Sequence, residues 1–140
     1  MRALALLPWL LAAALAQVQV AATTPILADL VRQVGGNRVA AVAVLPPGAD
    51  PHTFEPTPSV AQALSQTRLL FANGLGLEPY LPKLQALLPK IAQVVLLGEG
   101  QPGLICGEDH AEEDHGHGPC DPHLWLDPAY AVRYAERILE

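Results

Sequence analysis

Aromatic residues are scarce in this chain, with two Trp, three Tyr and two Phe among 140 residues. Any core must therefore be built mostly from Leu, Val, Ala and Ile, and at 51% apolar content there is enough of them for one domain. Positive charge is missing from a long stretch. No Lys or Arg lies between Lys90 and Arg133, whereas Glu99, Glu108, Asp109, Glu112, Glu113, Asp114, Asp121 and Asp127 all do. With a formal charge of −6, this argues against nucleic acid as a partner and suits cations. A membrane-spanning run is lacking as well. Ala3–Leu15 is apolar but falls short of the ~20 residues that a comfortable bilayer span needs.

Arg2 precedes that run and Ala14-Leu15-Ala16 follows the small-x-small cleavage pattern. Residues 1–16 therefore read as a secretory signal peptide, with an uncleaved anchor as the other reading. The mature chain would start near Gln17, in an extracytoplasmic space. No cysteine sits near the cleavage point, so a lipid anchor is not expected. Catalytic signatures are absent too: the sequence holds no HExxH helix motif and no G-x-S-x-G elbow. A zinc hydrolase keeps three protein ligands, an open water position and a general base. Only Asp50 and Glu55, near His52, could serve as the base. No enzyme is expected.

What the sequence does have is a stiff loop with a histidine in it. Leu45–Pro58, LPPGADPHTFEPTP, carries five prolines and His52. Prolines on both sides restrict the backbone around His52, which suits a task needing fixed geometry, such as holding a metal. A turn histidine bonding a nearby carbonyl would explain one such motif alone. The arrangement recurs, however, as Asp121-Pro122-His123, seventy-one residues on.

Around these loops, apolar runs and helical patterns alternate. Val18–Thr23, Val39–Leu45, Arg68–Ala72 and Gln93–Leu97 read as strands, the second as one covered on both faces. Thr24-Pro25 opens a helix with Ile26, Leu27, Leu30, Val31 and Val34 on one face. Thr57-Pro58 opens a short second helix. Leu81, Leu84, Leu87 and Leu88 mark a third, running to about Lys90. Asp127-Pro128 opens a fourth, with Ala131, Val132, Ala135 and Leu139. This alternation predicts an α/β domain with a parallel four-stranded sheet flanked by helices. Sites in such sheets form at the carboxyl ends of the strands. His52 follows the second strand and His123 the fourth, so one sheet edge can supply both.

Gly98–Asp121 has no structural period, and its centre reads CGEDHAEEDHGHGPC. His110, His115 and His117 stand among five carboxylates there, ligand types that suit borderline divalent ions. A solvated charge run is the plainer reading. Cys106 and Cys120 bracket the segment. In an exported protein two cysteines read as a disulfide, and closing ~15 residues would contribute roughly 3 kcal/mol by the chain-entropy model. A Cys₂His₂ zinc site with the loop histidines is the alternative.

Thr23-Thr24-Pro25-Ile26, PPGADPHTFEPTPS, Asn73-Gly74-Leu75-Gly76-Leu77-Glu78 and DPHLWLDP, taken in order, resemble the metal-specific solute-binding proteins of ABC importers for zinc and manganese. The matches cover nearly the whole mature chain. The resemblance implies that His52 and His123 are two ligands of a primary metal site. Asp50, Asp121 and Asp127 are candidates to hold the second nitrogen of each ring. Glu55 is either such a group or a surface acid, and Trp125 is expected to pack beside the site.

The resemblance also implies a metal-collecting role for His110, His115 and His117. Zinc-type members of the family often carry such a loop, and manganese-type members usually lack it. Zn²⁺ is thus expected as the transported ion ahead of Mn²⁺, with an inner-membrane ABC permease as partner, a periplasmic setting and a monomeric full-length protein. A stand-alone zinc sponge acting through the loop is the alternative. The family takes its remaining ligands, a histidine and a carboxylate, from a second lobe beyond a long connecting helix. The expected layout is an N-terminal lobe over 17–127, the loop at 98–121 and the start of that helix at 128–140, with the C-terminal lobe not included.

Overall fold

The computed structural model describes residues 16–107 and 120–140. Four strands, β1 (Val18–Ala22), β2 (Val39–Ala43), β3 (Leu69–Ala72) and β4 (Gln93–Leu96), form one sheet in the order β2-β1-β3-β4. Every pairing is parallel, with Val18 opposite Val39, Val20 opposite Leu69 and Leu69 opposite Gln93. Four helices, α1 (Pro25–Gly35), α2 (Pro58–Leu64), α3 (Leu81–Leu87) and α4 (Pro128–Leu139), complete the α/β architecture that the alternating pattern predicts.

Side chains leave a strand alternately to its two faces, and the core divides accordingly. Val20 and Ala22 of β1 and Phe71 of β3 join Leu27, Ala28 and Val31 of α1 and Tyr134 of α4. Ala21 and Leu70 point the other way and join Leu64 of α2, and Tyr80 and Leu84 beside and within α3. The central strands β1 and β3 are thus the ones covered on both faces. A side chain such as Leu70 or Leu84, fully buried, contributes about 1.5–3 kcal/mol by removal from water.

Two of the three start signals act as expected, whereas Thr57 precedes Pro58 and α2 without a side-chain capping bond. Thr24 Oγ1 accepts from Leu27 N at 3.3 Å and Pro25 is the first residue of α1. Asp127 caps α4 in the same way, accepting from Ala129 N at 2.8 Å, with Pro128 next. Four readings need correction. The run Val39–Leu45 is an edge strand, with Val42 40% exposed. Its deeply buried members, Val44 and Leu45, lie just past β2, where their N–H groups continue the ladder to Ala22 and Thr23 carbonyls. In α4 the buried face carries Tyr134, while Val132 and Leu139 are exposed, because amphipathic tyrosine rather than alanine and valine fills the gap over the sheet. In α1, Ile26 stands in solvent while Ala28 takes a core position. The third helix stops at Leu87, not near Lys90, with Pro89 close behind.

Candidate metal site

Because all four strands run the same way, their carboxyl ends share one edge. Thr23, Leu45, Asn73 and Leu97 follow β1 to β4 there, and all four are buried. Both Asp-Pro-His segments rise from this edge. In each, the aspartate side chain accepts from the histidine's own backbone N–H, Asp50 Oδ1 from His52 N at 2.9 Å and Asp121 Oδ1 from His123 N at 3.0 Å. Aspartate turns the chain through this bond, and the proline between presets the backbone and offers no competing N–H. The repeat in sequence thus brings a repeated aspartate-to-backbone bond.

The two turns bring the imidazoles together. The ring centres of His52 and His123 lie 5.8 Å apart at an interplanar angle of 68°. Two rings bound to one tetrahedral zinc at Zn–N of about 2.0–2.1 Å have centres roughly 5–6 Å apart. Asp121 Oδ1 also lies 2.7 Å from His123 Nδ1. A carboxylate only accepts, so Nδ1 donates and Nε2 carries the lone pair that a metal would take. Trp125 stacks obliquely beside His123 with ring centres 5.4 Å apart, and its far side packs on the core. Phe54 anchors the other loop through an edge contact to Tyr80, ring centres 5.1 Å apart.

The remaining candidates divide. Asp50 and Asp121 shape the two turns, and Asp127 caps α4. Glu55 pairs with Lys83 in solvent, a contact worth little. Cys106 and Cys120 are joined by a disulfide, and next to it Asp121 N donates to Ile105 O at 2.9 Å. His110, His115 and His117 lie outside the described residues, as do residues 1–15 of the expected signal segment. Among the described residues, no three or more His, Cys, Asp or Glu side chains gather as a metal-binding group. No helix among them is long and apolar enough to cross a membrane.

Beneath the histidines lies a polar network that residue-by-residue reading missed. Glu78, 5% exposed, accepts from Thr23 Oγ1 and from Asn73 N at 2.8 Å through Oε1, and from Gly74 N at 3.0 Å through Oε2. It thereby ties the end of β1 to the end of β3. Burial pushes its carboxyl above the ordinary range, outweighing the bonds that favour the charged form. Gly74 can serve here because its φ of 78° is one that side chains resist. The available signal was one acid placed between leucines and Pro79-Tyr80.

The family model described as "Zinc-uptake complex component A periplasmic" (ZnuA) matches residues 20–140. The chain belongs to this family. Among curated ZnuA-family relatives, the manganese-binding lipoprotein MntA of Halalkalibacterium halodurans is 35% identical over 113 residues, covering 81% of this chain and 35% of the relative. The metal ABC transporter substrate-binding lipoprotein SloC of Streptococcus mutans is 30% identical over 128 residues, covering 89% and 41%. Such relatives are transporter substrate-binding proteins, not enzymes. A solved ZnuA structure superposes with a TM-score of 0.75 at 28% identity, over 88% of this chain and 45% of that one. A manganese-bound periplasmic metal-binding protein of Candidatus Liberibacter asiaticus shares the fold, with a TM-score of 0.74 at 23% identity over 87% and 43%. The chain thus spans about a third to two fifths of the length of these curated relatives.

Proposed function

We propose that this chain is the zinc-capturing part of an ABC importer's substrate-binding protein, working outside the inner membrane and handing Zn²⁺ to a permease. The observation that carries the reading is the facing pair His52 and His123, raised from one sheet edge by two segments that share the same aspartate-to-backbone bond. In this reading residues 1–16 direct export, 17–127 form one lobe, and 128–140 begin the helix towards a second lobe that supplies the remaining ligands. The ion is cargo and undergoes no chemistry. Zinc is favoured by the nitrogen donors, by the description of the matching family and by the acidic histidine segment, where His110, His115 and His117 would collect ions loosely. Cys106–Cys120 would hold the ends of that segment together beside His123. Manganese is the second reading, favoured by relatives named for that ion.

Protonated imidazole does not bind metal, so zinc affinity at the pocket is expected to weaken below about pH 6, near the ordinary histidine pKa. Zinc titrations from pH 8 to pH 5 test this. A pocket affinity that stays constant over that range contradicts histidine ligation. Deleting the acidic segment separates the importer reading from a zinc sponge, since a sponge loses all binding and the pocket protein keeps its tighter site. Competition between Zn²⁺ and Mn²⁺ in the same titration decides between the two ions.

A further inference from the structure

We propose that Asn73 is a positioning residue for His123, and that Tyr134 of α4 tethers its amide in place. This rests on the reading of His123 as a metal ligand. Asn73 is fully buried at the end of β3, directly beneath the second histidine loop. Its backbone is pinned on both sides: its N–H donates to Glu78 Oε1 at 2.8 Å and its carbonyl accepts from Gly98 N at 2.8 Å. Its side chain is pinned as well. Nδ2 donates to Pro122 O at 2.8 Å and to Gly74 O at 3.0 Å, and Oδ1 accepts from Tyr134 OH at 2.7 Å.

The bond to Pro122 O is the informative one. Pro122 and His123 share a peptide plane, since the Pro122 carbonyl is joined to the His123 nitrogen. Asn73 holds the oxygen end of that plane, and Asp121 Oδ1 holds the N–H end at 3.0 Å. A planar peptide gripped at both ends has little freedom left, and the direction in which His123 leaves the backbone is set with it. Proline at 122 brings no N–H of its own and fixes φ before the plane, so the two grips suffice.

The carbonyls of Pro122 and Gly74 make the arrangement directional. Both only accept, so an asparagine amide flipped end for end would turn its oxygen on two carbonyl oxygens. The hydroxyl of Tyr134 donates to Oδ1 and tethers the amide in the orientation that the carbonyls select. The packing leaves no slack. A Cβ added at Gly98 would stand 2.8 Å from Asn73 O and 3.0 Å from Tyr134 OH. One amide therefore links α4 to the histidine that faces the ion. A shift of α4 would reach His123 through this amide.

The test uses the full chain with Asn73→Leu, which keeps the branched heavy-atom shape and removes both side-chain donors, and Tyr134→Phe, which keeps the ring and removes the hydroxyl. Three readouts are taken where each protein is fully folded: zinc affinity of the tighter site, the His123 ring signals in long-range ¹H–¹⁵N spectra, and the melting temperature. Groups that orient a metal-bound histidine are typically worth 10–100-fold in affinity. Asn73→Leu is expected to weaken the tighter site by about that factor and to move the His123 ring from one tautomer to an averaged signal. Tyr134→Phe should shift both in the same direction by less.

Lower melting temperatures with parental zinc affinity and a parental His123 spectrum would overturn the proposal, leaving Asn73 a fold-holding residue only. If Asn73→Leu does not fold, Tyr134→Phe decides by the same criteria. If a variant lacking both pocket histidines binds zinc as the parent does, the metal reading itself has failed. The His123 spectrum then tests positioning alone: a changed spectrum supports it and an unchanged one overturns it.

Discussion

Replacing Glu78 by alanine is expected to destabilise the fold by about 3 kcal/mol or more, the largest loss from any single polar side chain at the site. Three buried donors, Thr23 Oγ1, Asn73 N and Gly74 N, lose their acceptor at once. Each buried donor left unsatisfied costs about 1–3 kcal/mol. Removing a desolvated carboxylate returns part of this, so the cost depends on pH. Because burial raises the carboxyl above its ordinary 4.5, Glu78 contributes most below that value, and its contribution falls as pH rises through the raised folded value. Urea unfolding of parent and Glu78→Ala at pH 4 and pH 8 should therefore show the larger difference at pH 4. A difference that is small at both values, or larger at pH 8, would mean that the carboxylate is not the clasp between β1 and β3.

Asp121→Ala is expected to cost zinc affinity 10–100-fold while hardly changing stability. One oxygen of Asp121 holds His123 twice, at its backbone N and at ring Nδ1. Losing it frees the turn and lets the ring exchange tautomers, so part of the population would present the wrong nitrogen to the ion. The side chain is 55% exposed, so its loss opens no cavity in the core. Asp121→Asn keeps an oxygen for the turn and should recover part of the affinity. Competition against a chelating dye measures all three proteins. Equal affinities for parent and Asp121→Ala would remove Asp121 from the site.

Much of this was legible from local chemistry. Apolar runs of three to seven residues marked all four strands, and Thr24-Pro25 and Asp127-Pro128 marked helix starts to the residue. The repeated Asp-Pro-His was visible as a pattern, and strand order along a parallel sheet was enough to place both copies at one edge. What stayed hidden depends on tertiary neighbours. Nothing local says that β2 is an edge strand, because its sequence is as apolar as that of a central one. The role of Tyr134 was missed because its ring packs on the sheet while its hydroxyl meets Asn73, two contacts far apart in sequence. Glu78 was missed for the same reason: its three donors come from residues 23, 73 and 74.

The central claim is that His52 and His123 form one metal half-site. Calorimetric zinc titration of residues 17–140, beside the His52→Ala/His123→Ala double variant, tests it most directly. The account predicts a tighter site in the parent that is missing from the variant, above a weaker background common to both. Identical, weak titrations of the two proteins would contradict it and would assign the binding to the acidic histidine segment.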